Sequence, residues 1–340
     1  MRASRLSCHP AGVNMQLRNR LLQCLSDGEF HSGEALGELL GISRMAVWKH
    51  LRGLREAGLD FEVVRGKGYR LSRPRELLDA GQVLSAVSPE TRAALGPIDV
   101  FHQLDSTSNW LREQALAGAD SGSVCMAEMQ HSGRGRHGRQ WVSPFAANLY
   151  LSLLWRTGAG AAALGGLSLV TGIGLMRCLR RMGIRQAGLK WPNDILVDGA
   201  KLAGILIDVT GEVGGQCAVV IGVGINVDMP PPAAAGIERV WTDLCAVTGG
   251  DSPSRNRLAA TLLEELLPAL DTFESDGLGP FMDEWREHDV LAGQPIDLLL
   301  PDRTVSGRAC GIDDGGALLM DTAAGRKRFA AGEASLRVVT

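Results

Sequence analysis

Apolar residues recur at helical spacing in three stretches near the start of the chain. Met15–Ser26 ends at Asp27-Gly28, Gly33–Leu40 stops at Gly41, and Arg44–Ala57 carries Val47, Leu51 and Leu54 on one face. Ser32 and Ser43 stand where an N-cap would satisfy orphaned backbone N–H groups. Phe61–Val64 and Tyr69–Leu71 flank Gly66-Lys67-Gly68 and read as a short hairpin. The pattern then becomes mixed. Strands are predicted at Val100–Leu104, Val124–Met129, Leu149–Trp155, Ile195–Val197, Gly204–Val209 and Ala218–Val223. Helices are predicted at Ser108–Ala117, Ala163–Arg181 and Arg255–Glu274. Helix and strand do not alternate regularly, which favours an α+β mixed sheet over a doubly wound one. Near the end, Ile296–Leu300, Val305–Ile312, Ala317–Asp321, Lys327–Ala330 and Ser335–Val339 alternate with turns, the strongest being Asp313-Asp314-Gly315-Gly316. The expectation is a multidomain α+β chain. It has a tail over 1–14, a winged helix-turn-helix over 15–75, a central α+β domain over 76–287 and a small five-stranded barrel over 288–340.

Charge sharpens this division. The 340 residues exceed what one core usually supports, and the net charge is −3. Residues 1–75 hold thirteen Lys/Arg against seven Asp/Glu, whereas the remainder holds twenty-two against thirty-one. A basic head on an acidic body points to one domain that meets an anionic polymer. The seven cysteines are scattered without a CxxC, which fits free thiols in a reducing cytoplasm and not a disulfide or zinc framework. No secretory h-region opens the chain, and the apolar run Ala161–Met176 is too short for a membrane span.

In the head, Gly37, Gly41 and Val47 have helix-turn-helix spacing. The third helix would offer Ser43, Arg44, Lys49 and Arg52 to base edges and phosphates, with Arg65 and Lys67 on the wing. The alternatives are a helix pair with a solvated basic face, and a winged helix used only for protein contacts.

Three central segments carry chemistry. Gly133-Arg134-Gly135-Arg136-His137-Gly138-Arg139 alternates glycine with arginine, so backbone can approach a ligand while planar cations bind carboxylate or phosphate. Its own charges predict poor order when it is empty. It is neither a P-loop nor a Rossmann turn; the nearest Rossmann candidate, beginning at Gly222, has Val227 where the third glycine is needed. Lys190-Trp191-Pro192-Asn193-Asp194 places lysine, amide and carboxylate together, suited to phosphate and Mg²⁺, and Lys201 follows at the mouth of an apolar strand. Ser106, Thr107, Ser108 and Asn109 offer hydroxyls and an amide at a helix start. Each segment alone could be a surface turn or a cap.

Taken in order, GEFHSGEALGELLGISR, GKGY, DSTS, GRGRHGR, SPFAANLYLSLLW, KWPNDILVDGAKLAGIL, GVGIN, GIDDGGALLM and GEASLR resemble the bifunctional biotin protein ligases that also act as biotin operon repressors. The resemblance runs from about Leu17 to Arg337. It implies a winged helix, a catalytic domain of the class II synthetase type and an SH3-like C-terminal barrel. It also implies that biotin and MgATP give biotinyl-5′-AMP and pyrophosphate, and that the biotinyl group then passes to a lysine of an acceptor such as the biotin carboxyl carrier protein of acetyl-CoA carboxylase. By family position, Ser106, Thr107, Gln130, Arg134, Gly135, Arg136 and Lys201 contact biotin or its activated carboxyl, with Ser108 or Asn109 in the slot after Thr107. Arg139, Lys190, Asn193, Asn226 and Trp241 serve the nucleotide, and Arg136, Lys190, Asp194 and Lys201 the chemistry. No protein-only metal site is expected; Mg²⁺ comes with ATP, near Asp194. Biotinyl-5′-AMP is implied as co-repressor, favouring a homodimer on operator DNA, with Gly204–Val209 as the candidate dimer edge. The competing readings are a biotin-sensing repressor without ligase activity, and a ligase for another acyl acid such as lipoate.

Overall fold

The computed structural model describes residues 10–56, 59–72, 75–158, 160–211, 216–300, 302–330 and 335–338. Residues 1–9 of the expected tail and 73–74 of the expected linker lie outside them, and the first helix, α1 (Pro10–Leu25), begins before Met15. Helices α2 (Gly33–Leu40) and α3 (Arg44–Glu56) follow where the periodicity places them. Ser32 Oγ accepts from Ala35 N at 3.0 Å and Ser43 Oγ from Ala46 N at 3.2 Å, so both serines cap as expected. Gly37 lies where α2 meets the turn into α3: a Cβ there would stand 2.7 Å from the Ile42 carbonyl oxygen. Strands β1 (Phe61–Val64) and β2 (Gly68–Leu71) form the wing. Leu21, Leu36, Val47, Leu51 and Leu54 are buried together, each such side chain contributing roughly 1.5–3 kcal/mol.

The next elements are α4 (Ala80–Ala86), α5 (Pro89–Ala94), β3 (Ile98–Leu104), α6 (Thr107–Leu116), β4 (Val124–Gln130), β5 (Leu149–Thr157) and α7 (Leu167–Arg181). They are followed by β6 (Ala187–Lys190), β7 (Asp194–Val197), β8 (Ala200–Gly211), β9 (Cys217–Ile225), α8 (Pro231–Ala234), α9 (Leu244–Val247), α10 (Arg255–Asp276) and α11 (Met282–His288). The seven strands form one sheet in the order β3-β4-β5-β9-β8-β7-β6. Only the β3–β4 pair is parallel, so the sheet is mixed as expected. One face packs against α6 through Leu111, Cys125, Leu154 and Val220. The other packs against α7 and α10 through residues such as Met126, Leu151, Ile173, Ile221 and Leu262. Helix α7 starts later than Ala163 because Gly166, at φ +87°, breaks the path after a 3₁₀ turn.

Strand β8 resolves the question of an edge. Ala200–Gly204 pairs with Asp194–Val197 of β7, and from Ala203 onward β8 also pairs with β9, so Ala203 and Gly204 lie between the two strands. Beyond Gly204, β8 pairs along its length with β9 only, among the described residues. Gly204–Val209 is therefore interior at its start and an open edge at its end.

Strands β10 (Pro295–Leu299), β11 (Thr304–Ile312), β12 (Leu318–Thr322), β13 (Gly325–Phe329) and β14 (Ser335–Val338) form an antiparallel sheet in the order β13-β12-β11-β10-β14. This is the small five-stranded C-terminal unit, with no pairing between β13 and β14 among the described residues. Its buried Ile296, Leu298, Leu318, Met320 and Leu336 join the core of the central sheet. Trp191 Nε1 donates to Gly316 O at 3.0 Å across that junction.

The winged helix is also seated on the body. Phe145 and Ala146, from the segment before β5, are buried in the same cluster as Leu21 and Leu71. Arg75 donates to Asp228 O at 2.9 Å and forms an ion pair with its carboxylate at 2.9 Å. Beneath this seat, Glu128 and Arg255 form a pair at 2.7 Å with side chains only 1 % and 4 % exposed. Glu128 also accepts from Leu78 N at 2.5 Å, and Arg255 donates to Asn148 O at 3.1 Å and to Glu76 O. Removing one partner of such a pair strands the other charge, which costs about 3–5 kcal/mol. Glu128→Ala is expected to lower the stability measured by urea unfolding by about that amount, and a loss within about 0.5 kcal/mol would contradict the burial argument.

Candidate active site

The sheet, the glycine-arginine segment and the residues around Trp241 enclose a cavity of about 450 Å³. Ser106, Thr107, Ser108, Gln130, Arg134, Gly135, Arg136, Arg139, Lys190, Asn193, Asp194, Lys201, Asn226 and Trp241 all line it, so nearly every expected residue meets in one place.

One end is built from uncharged polar groups. Ser106 is the N-cap of α6 and turns Thr107 and Ser108 inward. Thr107 N donates to Gln130 Oε1 at 2.9 Å, and Gln130 Nε2 donates to Ser143 Oγ at 3.0 Å. The Thr107 and Ser108 hydroxyls lie 2.8 and 3.0 Å from Ser152 Oγ on β5. Ser152 is fully buried and was not singled out in the sequence, because only the pairing of β5 with β4 and β9 brings it beneath α6. Asn109 does not line the cavity: its Oδ1 accepts from Arg134 at 2.8 Å. Of the two candidates, Ser108 lines the cavity, while the α6 helix carries the Asn109 side chain away from it.

The floor is glycine. A Cβ on Gly222 would stand 2.6 Å from Ser108 Oγ, and one on Gly224 would stand 2.6 Å from the Trp141 indole. Gly204, paired with Gly224, also faces that ring, with a Cβ distance of 3.0 Å. Glycines at facing strand positions signal close approach of a bulky group, and here that group is Trp141, another residue not singled out. Lys201 Nζ lies 5.2 Å from the centre of the same ring, in cation–π range.

The other end is cationic. Lys201 Nζ lies 2.6 Å from Asp194 Oδ1, and Arg239 lies 3.7 Å from Asp194 Oδ2. Arg136 donates to Asn193 Oδ1 at 3.4 Å, and Asn193 Nδ2 donates to Ile205 O at 2.7 Å. Burial lowers the pKa of Lys190; Asp194 works against that shift, while Arg239, Lys201 and Arg139 add to it. Burial likewise lowers Arg136, with Asp194 opposing and Arg139 reinforcing. The Trp191–Pro192 peptide bond is cis. Asn226 Nδ2 donates to Lys201 O and Thr242 O at 3.3 and 3.0 Å, fixing the Trp241 segment against β8. Among the described residues no cluster of three His, Cys, Asp or Glu side chains could hold a metal ion.

The glycine-arginine loop runs along the cavity wall. Arg134 bridges Gln140, Gly135 N donates to Arg139 O at 2.7 Å, and Arg136–Gly138 forms a 3₁₀ turn. Arg134 is neutralised by Asp208 at 2.7 Å, a partner on β8 that lies far away in sequence.

A polar pocket that runs into a cluster of cations, with a glycine-arginine loop along its wall, suits a ligand with an uncharged body and anionic groups at one end. Known proteins agree. The Biotin/lipoate A/B protein ligase family matches residues 100–226, an HTH domain matches 17–70 and the Biotin protein ligase C terminal domain matches 292–337. The chain is 43 % identical to the Bifunctional ligase/repressor BirA of Escherichia coli over 318 residues, 94 % of this chain and 96 % of that one. The chain belongs to the family of bifunctional biotin ligase/repressors. It is 31 % identical to the BirA of Bacillus subtilis, over 92 % of this chain and 96 % of that one. The biotin protein ligase of Aquifex aeolicus, solved in complex with biotin and ATP, superposes with a TM-score of 0.62 at 26 % identity, covering 72 % of this chain and 100 % of that one.

The family's head is equally recognisable in the structure. Arg44, Lys49 and Arg52 are exposed on α3, and Arg65 and Lys67 on the wing. Arg52 lies over Trp48 at 5.8 Å, and Lys67 and Arg70 lie over Phe30 at 5.8 and 4.5 Å. Ser43 Oγ is engaged as a cap, so its contribution to this face is to hold the start of α3.

Gly224→Ala is expected to press on the Trp141 ring and destabilise the chain by about 1–3 kcal/mol, with Trp141→Leu restoring most of the loss in the double variant. Equal losses in the single and double variants, by urea unfolding, would show that the ring is not what fills the glycine floor.

Proposed function

We propose that the chain activates biotin with MgATP to biotinyl-5′-AMP, releasing pyrophosphate, and transfers the biotinyl group to an acceptor lysine. The observation that carries this reading is the meeting of a hydroxyl-and-amide pocket with the cation cluster inside one cavity. Biotin's ring system suits the Thr107, Ser108, Ser152 and Gln130 end, and its carboxylate then reaches Arg136 and Lys201. The nucleotide's phosphates fall among Arg139, Lys190 and Asn193, and Trp241 and Asn226 flank its base. Mg²⁺ arrives with those phosphates.

The first reaction joins two anions, so the site must offset their repulsion. Arg136 and Lys201 hold the carboxylate near the α-phosphorus, and fixed cations stabilise charge as the leaving group departs. The mixed anhydride hydrolyses in water, and the loop Gly133–Arg139 along the cavity wall limits that access. In the second reaction the incoming lysine must be uncharged to attack the carbonyl. Asp194, beside that position, can take its proton, and AMP leaves.

Biotin-dependent exchange of labelled pyrophosphate into ATP tests the activation step. The wild type is expected to catalyse it with biotin and not with lipoate. Arg136→Ala is expected to lose at least about tenfold in rate at limiting biotin. Absence of exchange, with tight biotin binding kept, would leave a sensor.

The repressor function follows from the winged helix together with a ligand-promoted homodimer on a palindromic operator, with the intermediate as co-repressor. The open end of β8 supports the dimer reading, because an unpaired strand edge can pair with its own copy. Arg134 ties the ligand loop to Asp208 on that same edge, which links occupancy of the site to the pairing surface. Ile207 packs against the core, so a charge there would act through stability. Val209 is 43 % exposed and is the better probe. Val209→Glu is expected to abolish dimers in sedimentation runs with biotin and ATP while exchange activity stays near that of the wild type. Dimers of unchanged strength would place the contact elsewhere.

A further inference from the structure

We propose that Arg239 is a further catalytic residue of this site, binding the β- and γ-phosphates of ATP that leave together as pyrophosphate. The inference rests on the activation reading above and adds to it a side chain that lies outside the motifs carrying the family resemblance.

The first observation is position. Arg239 lies on the segment that returns to β8 through Lys201 N donating to Val240 O at 3.0 Å and Thr242 N donating to Lys201 O at 3.0 Å. The backbone next to Arg239 is thus tied directly to that of Lys201, while its own side chain remains 45 % exposed and lines the cavity. The second is its contact. Its guanidinium stands 3.7 Å from Asp194 Oδ2, beyond hydrogen-bond length, and the other oxygen of that carboxylate is held by Lys201 at 2.6 Å. Asp194 holds Arg239 only loosely.

The third is charge. Six arginine and lysine side chains line the cavity against two carboxylates, Asp194 and Glu238. Arg134 is satisfied by Asp208 outside that set, and the remaining five cations still outnumber the two carboxylates. A carboxylate ligand accounts for part of that excess, and a polyphosphate chain accounts for the rest. Burial is the main cause of the lowered Lys190 pKa, and Arg239 contributes to it, so the two cations bear on one region of space. An arginine fork suits phosphate oxygens better than a point charge does, because it can offer two parallel N–H donors.

In the reaction, a biotin carboxylate oxygen attacks the α-phosphorus and a new P–O bond forms. The bond from that phosphorus to the bridging oxygen of the β-phosphate breaks, and its electron pair leaves with pyrophosphate. Arg239 exchanges its long contact with Asp194 for that growing charge, beside Lys190.

The test is calorimetric titration of inorganic pyrophosphate and, separately, of biotin into the full chain, using wild type, Arg239→Ala and Arg239→Lys. A charge-assisted hydrogen bond contributes roughly 1.5–3 kcal/mol, so Arg239→Ala is expected to weaken pyrophosphate binding at least about tenfold. Biotin affinity without nucleotide should be unchanged, KM for ATP in the exchange reaction should rise, and Arg239→Lys should recover part of the loss. Pyrophosphate binding as tight in Arg239→Ala as in the wild type would overturn the proposal. An equal fall in biotin and pyrophosphate affinity would also overturn it, by making Arg239 a support for the segment through Asp194. Loss of exchange activity in the wild type, with pyrophosphate binding still dependent on Arg239, would defeat the activation reading and leave the phosphate site standing.

Discussion

Six cationic side chains share one cavity with two carboxylates, and like charges at that density repel unless a frame holds them. The frame is the sheet. Lys190 ends β6, Asp194 begins β7 and Lys201 is the second residue of β8, so three of the charged groups are fixed by strand pairing and not by loops. Asp194, 9 % exposed, is the counter-charge that lets Lys201 stand at the cavity mouth. Asn193 and Asn226 then bind backbone carbonyls on each side and hold the cations' surroundings in place. Fixed cations need not reorganise when negative charge develops, which is how such a site lowers the barrier to joining two anions.

The same constraint organises the rest of the chain. The C-terminal sheet shares its core with the central one, and its Gly316 carbonyl accepts from Trp191, the residue next to Lys190. The segment that leaves the glycine-arginine loop supplies Trp141 to the glycine floor, Ser143 to Gln130, and Phe145 and Ala146 to the core of the winged helix. One short stretch of chain therefore touches ligand site and DNA-binding head. A buried Glu128–Arg255 pair beneath it makes that seat stiff, and Asp208 links the loop to the open end of β8. Site, head and the open end of β8 are joined by direct contacts, the physical requirement for coupling between them.

Much of this was legible in the sequence because the informative signals were local. Helices α2 and α3 follow from apolar spacing and serine caps, and the site residues Thr107, Arg136, Lys190 and Lys201 sit in motifs of distinctive composition. What was not legible depends on pairing across distance. Ser152, Asp208 and Arg239 reach the site only because β5, β8 and the Trp241 segment fold beside it, and nothing in their neighbours marks them. Trp141 left a trace, since Gly204 and Gly224 on neighbouring strands announce a bulky group overhead. Helices α4 and α5 and strand β6 are too short for periodicity to show. The order β3-β4-β5-β9-β8-β7-β6 is a property of the whole chain and of no window in it.

The central claim is that this cavity makes an adenylate from two anions and keeps it. The most direct measurement is to mix the protein with biotin and ATP labelled at the α-phosphate, separate the protein from free nucleotide by rapid gel filtration, and then add an acceptor domain. The account predicts stoichiometric label retained with the protein only when biotin is present, discharged as AMP as the acceptor lysine becomes biotinylated. Label retained equally without biotin, or not retained while biotin still binds, would contradict it.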